Sequence, residues 1–143
     1  MQQLILTIAL IFASIFISKA QENDKNPIGN NITVSVINAL NDNGKIRFAL
    51  YNELGFRKQP LYSKFSKIEN GLSEIAFTNI PKGEYAIVCF HDENGNSRMD
   101  FYENGMPKES YGTSNNALLM GPPQFDSSKF VVTDEDLNLE IKF

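Results

Sequence analysis

From residue 31 onward, apolar residues recur at every second position in short runs. No stretch sustains a helical period, and turn signals cut each run short. Such a chain can bury its apolar residues only by stacking sheets. Ile32, Val34 and Val36 alternate with Thr33, Ser35 and Ile37, and the cluster Asn38–Gly44 then stops the run. Lys45–Tyr51 alternates again, so these two strands are expected to pair as a hairpin around Asn43-Gly44. Residues 52–71 fit a helical turn or an irregular strand, and a loop followed by a strand over Tyr62–Ile68 suits them best. Further strands are expected at Ser73–Phe77, Tyr85–His91, Lys129–Val132 and Leu137–Phe143, the last two flanking the turn Thr133–Asp136. Pro81 presets φ and Gly83 tolerates φ > 0, as a type II turn before Tyr85 requires. Between residues 105 and 126 no period appears, yet Tyr111, Leu118 and Phe125 call for packing, so a long ordered loop lobe is expected there. The fold predicted is all-β: a seven-stranded β-sandwich, immunoglobulin-like or prealbumin-like, with a long irregular loop lobe.

The N-terminal segment belongs to a different category. Leu4–Ile17 is apolar except for Thr7 and Ser14, and Ser18-Lys19-Ala20 follows with small residues where a signal peptidase reads. Residues 1–20 are therefore expected to be a signal peptide, 21–30 a flexible polar linker, and 31–143 the sandwich domain, exported to the periplasm or the cell exterior. The apolar run falls short of the ~20 residues of a spanning helix, so no membrane span is expected in the mature chain. Cleavage would remove Lys19 from the 13 basic residues and leave all 17 acidic ones, a net charge near −5. That sign excludes a nucleic-acid partner, which needs a basic footprint. The single cysteine, Cys89, lies within an apolar strand and reads as a small buried hydrophobe.

The densest group of oxygen side chains is His91-Asp92-Glu93-Asn94-Gly95-Asn96-Ser97-Arg98-Met99-Asp100-Phe101-Tyr102-Glu103. Counted from Asp92, Asn94 and Asn96 fall at positions three and five, the Arg98 carbonyl at seven, Asp100 at nine and Glu103 at twelve. This is the oxygen spacing with which an EF-hand loop surrounds Ca2+, a hard cation that takes six to eight oxygens. Asp92, Asn94, Asn96, Arg98, Asp100 and Glu103 are thus the candidate metal ligands. Position six, normally glycine, is Ser97, and a strand rather than a helix leads in, so affinity is expected at the weak end, about 10⁻⁴–10⁻³ M. Zinc is disfavoured, because one histidine and one buried cysteine cannot close a site. The proline-stiffened lobe begins two residues after Glu103 and is expected to fold back over the loop, with Asn104, Glu109 or Asn115 completing its oxygen shell.

His91 beside Asp92 does not make a dyad, since neighbouring strand residues face opposite ways. The function expected is non-enzymatic, structural or binding, with a cell-surface protein or a glycan as partner. Two alternatives stay open: a hydrolase using His91 with carboxylates of the 105–126 lobe, for which Ser110 or Ser114 would be the nucleophile, and a carbohydrate-binding module with Tyr102, Tyr111 and Phe125 as an aromatic platform.

Three ordered motifs carry a resemblance. They are Tyr85-Ala86 through Phe90-His91-Asp92-Glu93-Asn94-Gly95-Asn96, then Gly105-Met106-Pro107-Lys108-Glu109-Ser110-Tyr111-Gly112-Thr113-Ser114-Asn115, then Gly121-Pro122-Pro123-Gln124-Phe125-Asp126. Over about residues 31–143 the chain resembles the exported bacterial family called domain of unknown function 2141. The resemblance implies a secreted or periplasmic bacterial β-sandwich and no particular activity. It also implies that glycine often follows the second loop asparagine, where this chain has Ser97. The corner Ile80-Pro81-Lys82-Gly83-Glu84-Tyr85 is similar to that of prealbumin-like and collagen-adhesin B-type sandwiches.

Overall fold

The computed structural model describes residues 29–118 and 121–143. The expected signal peptide, and the linker as far as residue 28, lie outside them. The strands are β1 (Asn30–Val36), β2 (Lys45–Tyr51), β3 (Tyr62–Ser66), β4 (Ser73–Ile80), β5 (Gly83–Asp92), β6 (Tyr111–Thr113), β7 (Lys129–Val132) and β8 (Leu137–Ile141). One short helix, α1 (Phe125–Ser128), precedes β7. Asn30, assigned to the linker from sequence, is the first residue of β1 and pairs with Ile80.

Two sheets form the sandwich. In one, β1 is central, antiparallel to β4 and parallel to β8. In the other, β2 lies between β3 and β5, and the far edge of β5 is shared by β6 and β7. Alternation produces the core directly. Ile32, Val34 and Val36 of β1 face Ile46, Phe48 and Leu50 of β2, joined by Phe77, Ile80, Ile87, Cys89, Val132 and Ile141, all nearly inaccessible. Each large side chain so buried contributes about 1.5–3 kcal/mol.

The pairing expected between β1 and β2 is not made. The two strands sit in different sheets because each has one apolar face, and those faces bury each other only across the sandwich. The same holds at the C-terminus: β7 pairs with β5, whereas β8 crosses to β1. At the Ile80–Gly83 corner two residues carry the chain from one sheet to the other. Gly83 has the positive φ expected of it (157°), and Asn79 (φ 58°) is a second, left-handed residue just before the corner. The strand expected over Tyr62–Ile68 stops at Ser66.

The lobe is less irregular than expected. Tyr111–Thr113 pairs with Val88–Phe90 as an eighth strand. Gly112 makes this possible: a Cβ there would lie 2.6 Å from the Lys142 carbonyl oxygen and 2.7 Å from Ile141 Cγ2. Ser114 fixes the strand's end. Its hydroxyl accepts from Ile87 N at 2.9 Å and donates to the Ser128 carbonyl, which ties α1 to the sheet. Gly112→Ala is therefore expected to lower stability by about 1–3 kcal/mol, by overpacking against backbone that cannot retreat. Chemical denaturation of the variant against the parent chain checks this.

Candidate metal centre

β5 carries the site because it is two-faced. Ile87, Cys89 and His91 point into the sandwich; Val88, Phe90 and Asp92 point out towards the lobe. His91 is fully buried, and its Nε2 donates to the Asn43 carbonyl at 2.6 Å, which ties the 38–44 turn to the strand end. A carbonyl only accepts, so Nε2 carries a proton; Nδ1 is buried without a hydrogen-bond partner, 3.8 Å from Glu93 Oε1. Gly44 (φ 67°) lies against the same strand end, where a Cβ would come 2.0 Å from the Asp92 carbonyl oxygen. Beyond this anchored end the chain leaves the sheet as the oxygen-rich loop.

The loop winds by side-chain-to-backbone hydrogen bonds. Asp92 is buried, and its two oxygens accept from Asn96 N at 3.1 Å and Ser97 N at 2.9 Å. Asn94 Oδ1 accepts from Asn96 N at 3.0 Å, and Asn96 Oδ1 from Arg98 N at 2.9 Å. The amide groups of Asn94 and Asn96 both donate to Asp100 Oδ2, each at 2.7 Å. Asp92, Asn94, Asn96 and Asp100 are thus brought together as the spacing predicts. Asp100 is the convergence point, and its carboxyl is held below the usual range by the Asn94 amide first, then by Asn96 and the Arg98 and Lys108 charges. Arg98 lies 3.7 Å from Asp100 Oδ1 through its Nε.

Glu103 is not brought in. Phe101 and Pro107 form a β-bridge, with Tyr102 N donating to Met106 O and Gly105 N to Tyr102 O. Glu103 is left exposed at the tip of this small hairpin. Without a helix after the loop, nothing turns position twelve back towards position one. The lobe supplies Glu109 instead, whose Oε2 accepts from Asp100 N at 3.2 Å. Its Oε1 is buried with no hydrogen-bond partner. Burial raises the Glu109 carboxyl above its ordinary range, and the charges of Asp100 and Asp92 add to this; N–H groups of Asp100 and Glu93 offset it in part. Of the other lobe residues expected near the loop, Asn104 caps Met106 N and Asn115 donates to the Lys129 carbonyl, so neither takes part.

The loop gathers oxygens alone, since His91 turns inward and burial drives the Cys89 thiol far above its ordinary range. Among the described residues no three His, Cys, Asp or Glu side chains form a ready metal cage. Two of the four converging side chains are amides, and the two carboxylates, Asp92 and Asp100, accept from N–H donors.

Of the residues named for other chemistries, Ser114 and the three aromatics lie apart, whereas Ser110 sits across from His91. Ser114 is locked on Ile87, four residues along β5 from His91, about 13 Å at the rise of a strand. Ser110 offers its carbonyl to His91 N. Tyr102 lies on the hairpin under Lys108, Tyr111 borders the cavity beside Phe90, and Phe125 packs edge-on to Phe56. They do not share one exposed platform.

The model of a family described as uncharacterized proteins conserved in bacteria, domain of unknown function 2141, matches residues 34–140. The chain belongs to this family. The match runs from β1 to β8 and includes both the loop and the lobe. No curated protein matches the sequence significantly. Among solved structures, the pilus-presented adhesin Spy0125 (Cpa) aligns at 15% identity and TM-score 0.29, over 81% of this chain and 26% of the adhesin. A cysteine variant of that adhesin aligns at 12% identity and TM-score 0.30, over 83% of this chain and 28% of its own. The chain thus spans about a quarter of the length of these adhesins. Among the described residues no helix is long and apolar enough to cross a membrane.

Ser97 stands where the loop needs a left-handed residue (φ 65°), and its hydroxyl makes no hydrogen bond among the described residues. A side chain in that conformation costs about 1 kcal/mol that glycine avoids. Ser97→Gly is expected to stabilise the domain by about this amount, measured by urea denaturation.

Proposed function

We propose that this domain is an exported, non-enzymatic β-sandwich whose 92–103 loop binds calcium and pins the lobe to β5, in a structural or binding role. The observation that carries the reading is Glu109. A lobe carboxylate is set against Asp100 with one buried oxygen unpartnered, where the charges of Asp100 and Asp92 oppose that of Glu109 and a cation would relieve it. Asp92, Asn94, Asn96, the Arg98 carbonyl and Asp100 would hold the ion from the loop, and Glu109 would take the place expected of Glu103. The ion would supply no reaction chemistry; it neutralises charge and joins two segments distant in sequence. The separation of His91 from Ser114 supports the non-enzymatic reading. A cell-surface protein or glycan suits an exported domain of this kind as partner.

Calorimetry with calcium, and melting with calcium or with chelator, test the proposal. A Kd of about 10⁻⁴–10⁻³ M is expected, and about 10 mM calcium adds on the order of 2 kcal/mol. No calcium-dependent shift at that concentration would refute it. Glu109→Gln separates the ion from the fold. A carboxyl whose pKa is raised on folding favours the folded chain at acid pH and loses that contribution as pH rises through the raised value. In chelator at neutral pH the variant is therefore expected to melt no lower than the parent, yet to lose most of the calcium response.

A further inference from the structure

The outward face of the five-stranded sheet is not filled by the lobe. Between them lies a half-open cavity of about 710 Å³, inside the ~300–1,000 Å³ range of small-molecule sites. Its floor is Val88, Phe90 and Tyr111; Met99, Pro107 and Pro123 wall it from the lobe side. These are apolar surfaces that a side chain of the protein would normally cover. The proline and strand backbone around them is stiff, so the space is built into the fold rather than opened by one rotamer.

One end of this cavity is cationic. Arg47 and Arg57 both line it, and among the described residues neither is paired with a carboxylate. Arg98, the other guanidinium at the cavity, lies against Asp100. Arg47 is held in place twice, by its Nε donating to Ser63 Oγ at 2.9 Å and by stacking over Phe90 at 6.0 Å. Arg57 and Arg47 both act on the Tyr51 hydroxyl, which also borders the cavity; burial raises its pKa and the two positive charges oppose that rise. Two guanidiniums and a phenol therefore converge beside an apolar chamber, in a chain whose formal charge is −4.

We propose that this cavity binds a small amphipathic carboxylate, its apolar body against Val88, Phe90 and Met99 and its carboxylate between Arg47 and Arg57. The carboxylate is the group that a guanidinium fork recognises with paired hydrogen bonds, and Tyr51 offers a further donor. A neutral ligand of the same shape would leave both charges unanswered, so the site discriminates by charge as well as by size. The cavity borders the metal loop through Arg98 and Met99, but the carboxylate site at Arg47 and Arg57 uses none of the loop's oxygens, and titration in calcium and in chelator tells the two readings apart.

Fluorescence and calorimetric titration of the full domain with 2-naphthoate and with decanoate tests the proposal, each run in calcium and in chelator. The neutral analogue 2-naphthalenemethanol serves as the control. Saturable binding of at least one acid at one site per chain is expected, with the alcohol at least about tenfold weaker. Arg57 is exposed, so Arg57→Ala and Arg57→Glu should melt as the parent does. The first is expected to weaken the acid about tenfold and the second to abolish its binding, while neither changes the alcohol. Arg47→Gln repeats the test from the other side of the headgroup. Failure of both acids to bind, equal binding of acid and alcohol, or indifference to Arg57 would overturn the proposal. So would self-association on sedimentation that neither acid displaces, because a second copy would then be the occupant.

Discussion

Burial of β5 on both faces is the constraint from which the rest of the structure follows. Ile87 and Cys89 lie in the inter-sheet core, while Ala86, Val88 and Phe90 on the opposite face are also withdrawn from solvent to differing degrees. A strand in an ordinary two-sheet sandwich needs only one apolar face. This one has two, so something besides the second sheet must cover it, and the 105–126 lobe is that cover. The lobe is stitched on by a short strand, a buried serine and a glycine that admits no Cβ.

Covering a sheet with a loop lobe rather than a helix has consequences. A lobe of this kind has few apolar contacts of its own and must be fixed at points. One point is β6 on β5, and another is Ser114 on Ile87. The third is the junction of Asp100 and Glu109, where the loop leaving β5 meets the lobe. It is the only one of the three made of like charges, and so the one whose strength a cation would change most. The cavity between lobe and sheet is the other consequence. Prolines hold the cover at a distance, and Arg47 and Arg57 border the space that remains.

Much of this was legible in the sequence, because alternation reports which residues a strand buries. The cores of β1, β2, β5 and β7 follow from it, as does the expectation of a sandwich. Pairing was not legible: Asn43-Gly44 looks like a hairpin turn, but periodicity cannot say whether two apolar faces lie side by side or face to face. Three residues, Tyr111–Thr113, are too few to show a period, so β6 passed as loop. In the loop, the ladder Asp92, Asn94, Asn96, Asp100 was legible because its spacing is local. Glu103 was misleading, since position twelve closes an EF-hand loop only when a helix follows. Glu109 was one of three lobe residues that sequence placed near the loop, and only the path of the Phe101–Pro107 hairpin selects it.

The central claim is that the loop and the lobe are one unit that a cation tightens. Amide hydrogen exchange, read residue by residue in chelator and in about 10 mM calcium, tests it most directly. The account predicts slower exchange in calcium at Ser97, Asp100 and Tyr111–Thr113 together, with β1 and β4 little changed. Protection that is identical in the two conditions, or that rises uniformly across both sheets, would contradict it.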